Sequence, residues 1–133
     1  MQLSKETYNK LINNSIDVKQ SKYHNKKVYY DGHWFDSQKE KSWYIKYKLM
    51  EQAGEIKDLK MQVSFTLIET FKLQDKTYRK TIYKADFTYY DKQAKYHVID
   101  VKGMKTDIYK LKKKLMAWKY GIEIEEVWKD TYG

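Results

Sequence analysis

The sequence predicts an α/β domain with a mixed central sheet flanked by helices, and three observations carry that prediction. Residues 83–90 and 96–102 are rich in aromatic and β-branched side chains, and the polar break Asp91-Lys92-Gln93-Ala94-Lys95 lies between them, the pattern of a β-hairpin. Residues 37–53 and 106–120 each begin with a hydroxyl side chain that can cap a helix, and each stops against a glycine. The order helix, three strands, helix, strand then implies a mixed sheet, with the ends of its central strands as the place for a site.

In chain order, residues 1–20 are polar, with Leu3, Tyr8, Leu11, Ile12 and Ile16 at roughly helical spacing. An arm or short helix over residues 1–21 is therefore expected ahead of one domain at 22–133. Lys22, Lys26 and Lys27 stand among Tyr23, Tyr29 and Tyr30, which suits a solvated loop and strand edge and also permits phosphate contact. Asp31-Gly32 signals a turn. Ser37 opens a helix that runs to Ala53, with Gly54 past its end; Trp43, Tyr47 and Met50 form its apolar stripe. Val63, Phe65 and Leu67 alternate in a strand over 55–69, and Gln74-Asp75-Lys76 marks the turn before the strand that carries Asp86. Met61, Phe65 and Tyr83 read as core. Thr106 can cap a second helix, with Asp107 favourably placed in its first turn. Its predicted buried stripe is Ile108, Leu111, Leu115 and Trp118, with Lys110, Lys113 and Lys114 on the opposite side and Gly121 at the end. Residues 122–128 alternate apolar and acidic side chains, as a last strand beside the core would.

A chain of 133 residues can bury one core without covalent staples. It has no cysteine, which excludes a disulfide scaffold and a thiolate metal site. No stretch is long or apolar enough to span a bilayer, and the N-terminus lacks the apolar run of a signal peptide, so a cytoplasmic protein with no membrane partner is expected. The formal charge of +9 favours a polyanionic partner. Almost all of that charge is lysine, Arg79 being the one arginine, which suits tracking a phosphate backbone rather than bidentate reading of bases. His24, His33 and His97 are too dispersed for a zinc or nucleophile-base signature.

The chemistry concentrates in residues 85–103. Alternation along the second hairpin strand puts Tyr96, Val98, Asp100 and Lys102 on one side, so an acid and an amine two apart point at one small volume. Asp86, on the neighbouring strand, comes within reach of Asp100 if the hairpin pairs in register near its turn. Two carboxylates that close repel one another unless a cation separates them. Glu40 admits two readings: its side chain returns to the backbone of Ser37 in a capping box, or it is an acidic residue of the site. Asp86 and Asp100-x-Lys102 downstream favour the second.

Ala85-Asp86-Phe87, then Ile99-Asp100-Val101-Lys102-Gly103, preceded by a helix that bears Glu40, resembles the core of the PD-(D/E)XK nucleases. The order of parts is similar to the phage endonuclease I type of Holliday junction resolvase. It also resembles a small phage-encoded family of unknown function in its blocks at residues 22–26, 35–40, 85–87 and 100–103. The resemblance covers roughly residues 22–128 and departs at Ala85, where the family name has proline. It implies a restriction-endonuclease-like core and a homodimer that cuts branched DNA in a bacterial host's cytoplasm. Asp86, Asp100 and the Val101 carbonyl would hold Mg²⁺, or Mn²⁺ in its place, with Glu40 assisting and Lys102 orienting or deprotonating the attacking water. Lys26, Lys27, Lys110, Lys113 and Lys114 are the candidate DNA contacts. Two alternatives stay open: a DNA-binding module in which the acids form an ion-pair network around Lys102, and a general or sequence-directed DNase of the same fold.

Overall fold

The computed structural model describes residues 17–20, for their backbone only, together with 26–101 and 105–128. The elements in order are β1 (Asp17–Gln20), β2 (Lys26–Tyr30), β3 (His33–Phe35), α1 (Gln38–Gln52), β4 (Ile56–Ile68), β5 (Phe71–Leu73) and β6 (Lys76–Tyr78). They continue as β7 (Thr81–Asp91), β8 (Tyr96–Val101), α2 (Asp107–Tyr120) and β9 (Glu125–Val127). The fold is α/β, with a mixed four-stranded central sheet in the order β4-β7-β8-β9 and two helices. Among the described residues no helix is long and apolar enough to cross a membrane.

The chain divides into two compact units. One contains the described residues up to Lys57 together with Trp128, the other Asp58–Val127. In the first, β1, β2 and β3 form an antiparallel sheet, and the hairpin turns through Asp31 and Gly32, both with positive φ. Ser37 caps α1, its Oγ accepting the Glu40 backbone N–H at 3.1 Å. The buried side of α1 consists of Tyr44, Ile45 and Tyr47 with Glu40, Lys41 and Ser42. Trp43 and Met50 of the predicted stripe are only half-buried. Tyr44 sets the pitch of this packing: its ring lies 5.1 Å from that of Phe35, and its hydroxyl donates to Asp31 at 2.6 Å. Burial and that hydrogen bond push the Tyr44 phenol well above its usual pKa.

The second unit packs Leu67, Tyr83, Ala85, Val98, Met116 and Ile124 into one buried cluster between the sheet and α2. Strand β4 departs from extended geometry at Asp58 and Gln62, which have φ of 56° and 54°. Gln74 and Asp75, at 50° and 63°, make the two-residue turn that joins β5 to β6.

Helix α2 is rotated relative to the sequence reading. Ile108, Leu111 and Trp118 of the predicted buried stripe are 68, 55 and 79% exposed, and Leu115 is half-buried. Leu115 packs in part against the buried cluster, and the inner line beside it is Tyr109, Lys113 and Met116, with the 41% exposed Tyr120 at its end. Its polar tips hide it from hydropathy, yet each has a partner. Tyr109 donates to Glu126 at 2.6 Å, Lys113 lies 3.4 Å from Glu126, and Tyr120 donates to the Thr66 carbonyl at 2.6 Å. An amphipathic side chain that buries its body and satisfies its tip competes successfully with an aliphatic one.

Gly121 ends α2 at φ 65°, its N–H donating to the Ala117 carbonyl at 3.0 Å. A methyl group there would meet nothing within 4 Å, so only the backbone conformation resists substitution. Gly121→Ala is expected to cost about 1 kcal/mol in urea unfolding, with the helical circular dichroism retained.

Candidate active site

The site is built where β7 and β8 meet. These strands pair antiparallel through Phe87↔Ile99, Thr88↔Val98, Tyr89↔His97 and Tyr90↔Tyr96. The turn between them sets the register. The Asp91 carboxylate accepts the N–H groups of Gln93 and Lys95 at 2.8 and 3.0 Å, and Ala94 takes a φ of 63°. His97, stacked on Tyr89, lies 2.8 Å from Asp91 and 2.5 Å from Glu125, which ties the turn to β9. Its bond to Asp91 holds that carboxyl below its ordinary pKa.

One step beyond the last pair lie Asp86 on β7 and Asp100 on β8. Here the alternation of β7 changes phase. Ala85 and Tyr83 share the buried cluster of Val98 and Met116, and Thr88 faces Val98 across the ladder. Positions 85 and 88 can share a face only if the strand carries an irregularity at Asp86 and Phe87, as at a β-bulge. The described pairing stops at Phe87↔Ile99, and the Val101 N–H, which an unbroken ladder would give to a carbonyl, donates instead to Asp86 Oδ2 at 2.7 Å. The Gln62 side-chain amide approaches Asp86 Oδ1 at 3.4 Å.

Asp100 accepts a 2.7 Å hydrogen bond from the Tyr83 hydroxyl. Burial raises the Asp100 carboxyl above its usual pKa, and the nearby Glu126 raises it further, against the opposing influence of Tyr83 and Lys113. Tyr83 is itself pushed far up by burial and by its bond to Asp100. Parallel pairing of β8 with β9 sets Asp100 opposite Glu126. The Glu126 side chain is 8% exposed and receives Lys105 at 2.7 Å, Tyr109 at 2.6 Å and Lys113 at 3.4 Å. Burial alone would raise its carboxyl; the bonds from Lys105 and Tyr109, with the charge of Lys113, bring it down to about 2. Among the described residues, Glu126 is the carboxylate with lysines paired to it, while the half-buried Asp100 is held by the Tyr83 hydroxyl.

Of the residues the sequence singled out, Asp86, Asp100 and Val101 come together in the second unit. Glu40 is buried in the first turn of α1, in the first unit. Lys102 lies outside the described residues, as does most of the 1–21 arm. Lys26 and Lys27 are exposed on β2, where Lys27 makes a 3.7 Å surface pair with Asp36. Lys110 and Lys114 are exposed and line an open groove of about 400 Å³ along α2, together with Lys113, Glu123 and Ile124. Lys113, expected to project outward, turns its amine towards Glu126.

Sequence reasoning missed Glu126, Tyr83, Tyr109 and Gln62. An acid in an alternating last strand reads as a solvent-facing position, and Tyr83 reads as core, which its ring is. Among the described residues no three Asp, Glu or His side chains close into a group that could hold a metal ion. The donor chemistry nonetheless fits a hard divalent cation. Asp86 and Asp100 are oxygen donors on adjacent strands, the kind of ligand such an ion takes.

A family model described as a protein of unknown function (DUF1064) matches residues 20–130. No curated protein and no solved structure matches the sequence.

Proposed function

We propose that the chain, which belongs to the DUF1064 family over residues 20–130, is a metal-dependent endonuclease that hydrolyses phosphodiester bonds of branched DNA. One observation carries the reading: Asp86, anchored through the Val101 N–H, lies on the strand adjoining that of the half-buried Asp100, whose carboxylate accepts the Tyr83 hydroxyl. Such oxygen donors suit Mg²⁺, with Mn²⁺ as a substitute, better than a thiophilic ion.

Asp86, Asp100 and the Val101 carbonyl would hold the ion. When bound, it polarises the scissile phosphate and acidifies the attacking water. Tyr83 fixes the Asp100 carboxylate, and the Val101 N–H fixes that of Asp86. The nuclease resemblance adds Glu40 as a further ligand and Lys102 as the group that orients or deprotonates water and offsets charge on the phosphate. It also supplies the branched substrate and a homodimer that presents two sites to opposite strands. Lys26, Lys27, Lys110 and Lys114 are exposed lysines that would track the DNA backbone. Lys113 would reach it only by leaving Glu126.

A second reading has its own support, because Glu126 with Lys105 and Lys113 is already a closed ion-pair network. In that reading the chain binds DNA without cutting it. The experiment is cleavage of a labelled four-way junction and a matched linear duplex at equal salt, with Mg²⁺ and with EDTA. Paired nicks at the junction, in Mg²⁺ only, are expected. Equal cutting of both substrates makes the protein a general or sequence-directed DNase, and binding with no cutting in Mg²⁺ or Mn²⁺ leaves the binding module. Thermal unfolding separates the readings independently. At ten times its Kd a specifically bound ion stabilises the fold by about 1.4 kcal/mol, whereas a structural ion-pair network gains nothing from Mg²⁺.

A further inference from the structure

The outward face of α2 is unexplained by the nuclease reading. Ile108, Leu111 and Trp118 are mostly exposed, while the helix buries Tyr109 and Met116 against the sheet. Together with Leu115, which is half-buried and packs in part against the core cluster, these side chains fall at spacings of three, four and three, the a and d positions of two heptads. A seam that narrow matches another helix better than it matches a sheet, whose flat face covers a wider stripe.

The charges beside the seam say what kind of helix. On the same heptad, Lys112 and Lys119 occupy e positions and Lys114 a g position, so lysines stand on both flanks. Lys112 and Lys114 have no ion pair or hydrogen bond among the described residues. A second copy of α2 would bring lysines against lysines. Residues 1–16 carry Lys5 and Lys10 against Glu6 alone, and so bring the wrong sign as well. A nucleic acid would satisfy the lysines and leave the apolar seam in water. We propose that α2 docks an amphipathic helix of a partner protein, with apolar side chains in its seam and glutamates or aspartates on its flanks.

The test uses the full chain and a fluorescein-labelled synthetic helix of three heptads, with leucine at a and d and glutamate at e and g. Those glutamates also keep the peptide from pairing with itself. A matched peptide carries lysine at e and g. Fluorescence anisotropy should show the acidic peptide binding at least tenfold more tightly than the basic one. Leu111→Asp should weaken that binding at least tenfold with circular dichroism and melting temperature unchanged, since Leu111 is exposed. The double variant Lys112→Glu with Lys114→Glu should invert the preference between the peptides, a change that a merely unfolded variant cannot produce.

Equal affinity for both peptides, or no loss with Leu111→Asp, overturns the proposal. A concentration-dependent dimer in sedimentation that Leu111→Asp dissociates would assign the seam to a second copy. Displacement of the acidic peptide by duplex DNA, with DNA affinity also lost in Leu111→Asp, would assign it to nucleic acid.

Discussion

Asp100→Asn is expected to lower Mg²⁺-dependent DNA cleavage by about 10³-fold while leaving DNA binding intact. The same substitution should make the metal-free protein more stable. In EDTA the site disfavours the charge of the wild-type carboxylate, because burial and Glu126 both raise its pKa. A group whose folded pKa is raised contributes stability below its unfolded pKa and loses it as pH rises through the folded value. Asparagine keeps the shape and can still accept from the Tyr83 hydroxyl, so relief of the charge should raise the melting temperature in EDTA. Mg²⁺ should then stabilise the wild type and not the variant. Normal cutting by Asp100→Asn would sink the assignment. Lower metal-free stability would mean that Asp100 is a structural acid, as the binding-module reading requires.

Glu126→Gln should show the opposite pattern. The Glu126 carboxyl is held at about 2 against an ordinary 4.5. Its stabilisation is therefore complete above 4.5 and disappears as pH falls towards 2. A shift of that size corresponds to about 3 kcal/mol. Lys105 and Lys113 are 58 and 40% exposed and partly screened by solvent, so about 2 kcal/mol is expected in practice. Urea unfolding at pH 7 in EDTA should find the variant weaker by that amount, and the gap should shrink to about half at pH 3. A gap that does not change with pH would show that Glu126 acts through packing and not through its charge.

Where local pattern and tertiary demand coincide, the fold was legible. The β7-β8 hairpin, its turn at Asp91 and the helix caps at Ser37, Thr106 and Gly121 follow from residue types whose backbone preferences admit few alternatives. Helix α2 was legible in extent and not in rotation. Two lines of side chains compete for the same sheet, and the losing one is the more hydrophobic because Tyr109 and Tyr120 find acceptors on other elements. That Asp86 and Asp100 stand on adjoining antiparallel strands could be read from the hairpin. The phase change at Asp86 and Phe87 could not, since an irregular strand has the same composition as a regular one. Glu126 was hidden for a different reason: its role depends on a parallel pairing with β8 that spans the whole of α2, and no local spacing records that register.

The bond from the Val101 amide to Asp86 gives the site a reporter of its own. An amide proton donated to a carboxylate resonates further downfield than one given to a carbonyl, and it follows the charge on its acceptor. Whatever cation or proton the Asp86 oxygens accept, the single nitrogen-bound proton of Val101 registers the change in a heteronuclear spectrum. Occupancy of the site can thus be followed in the resting protein, without a substrate and without a turnover.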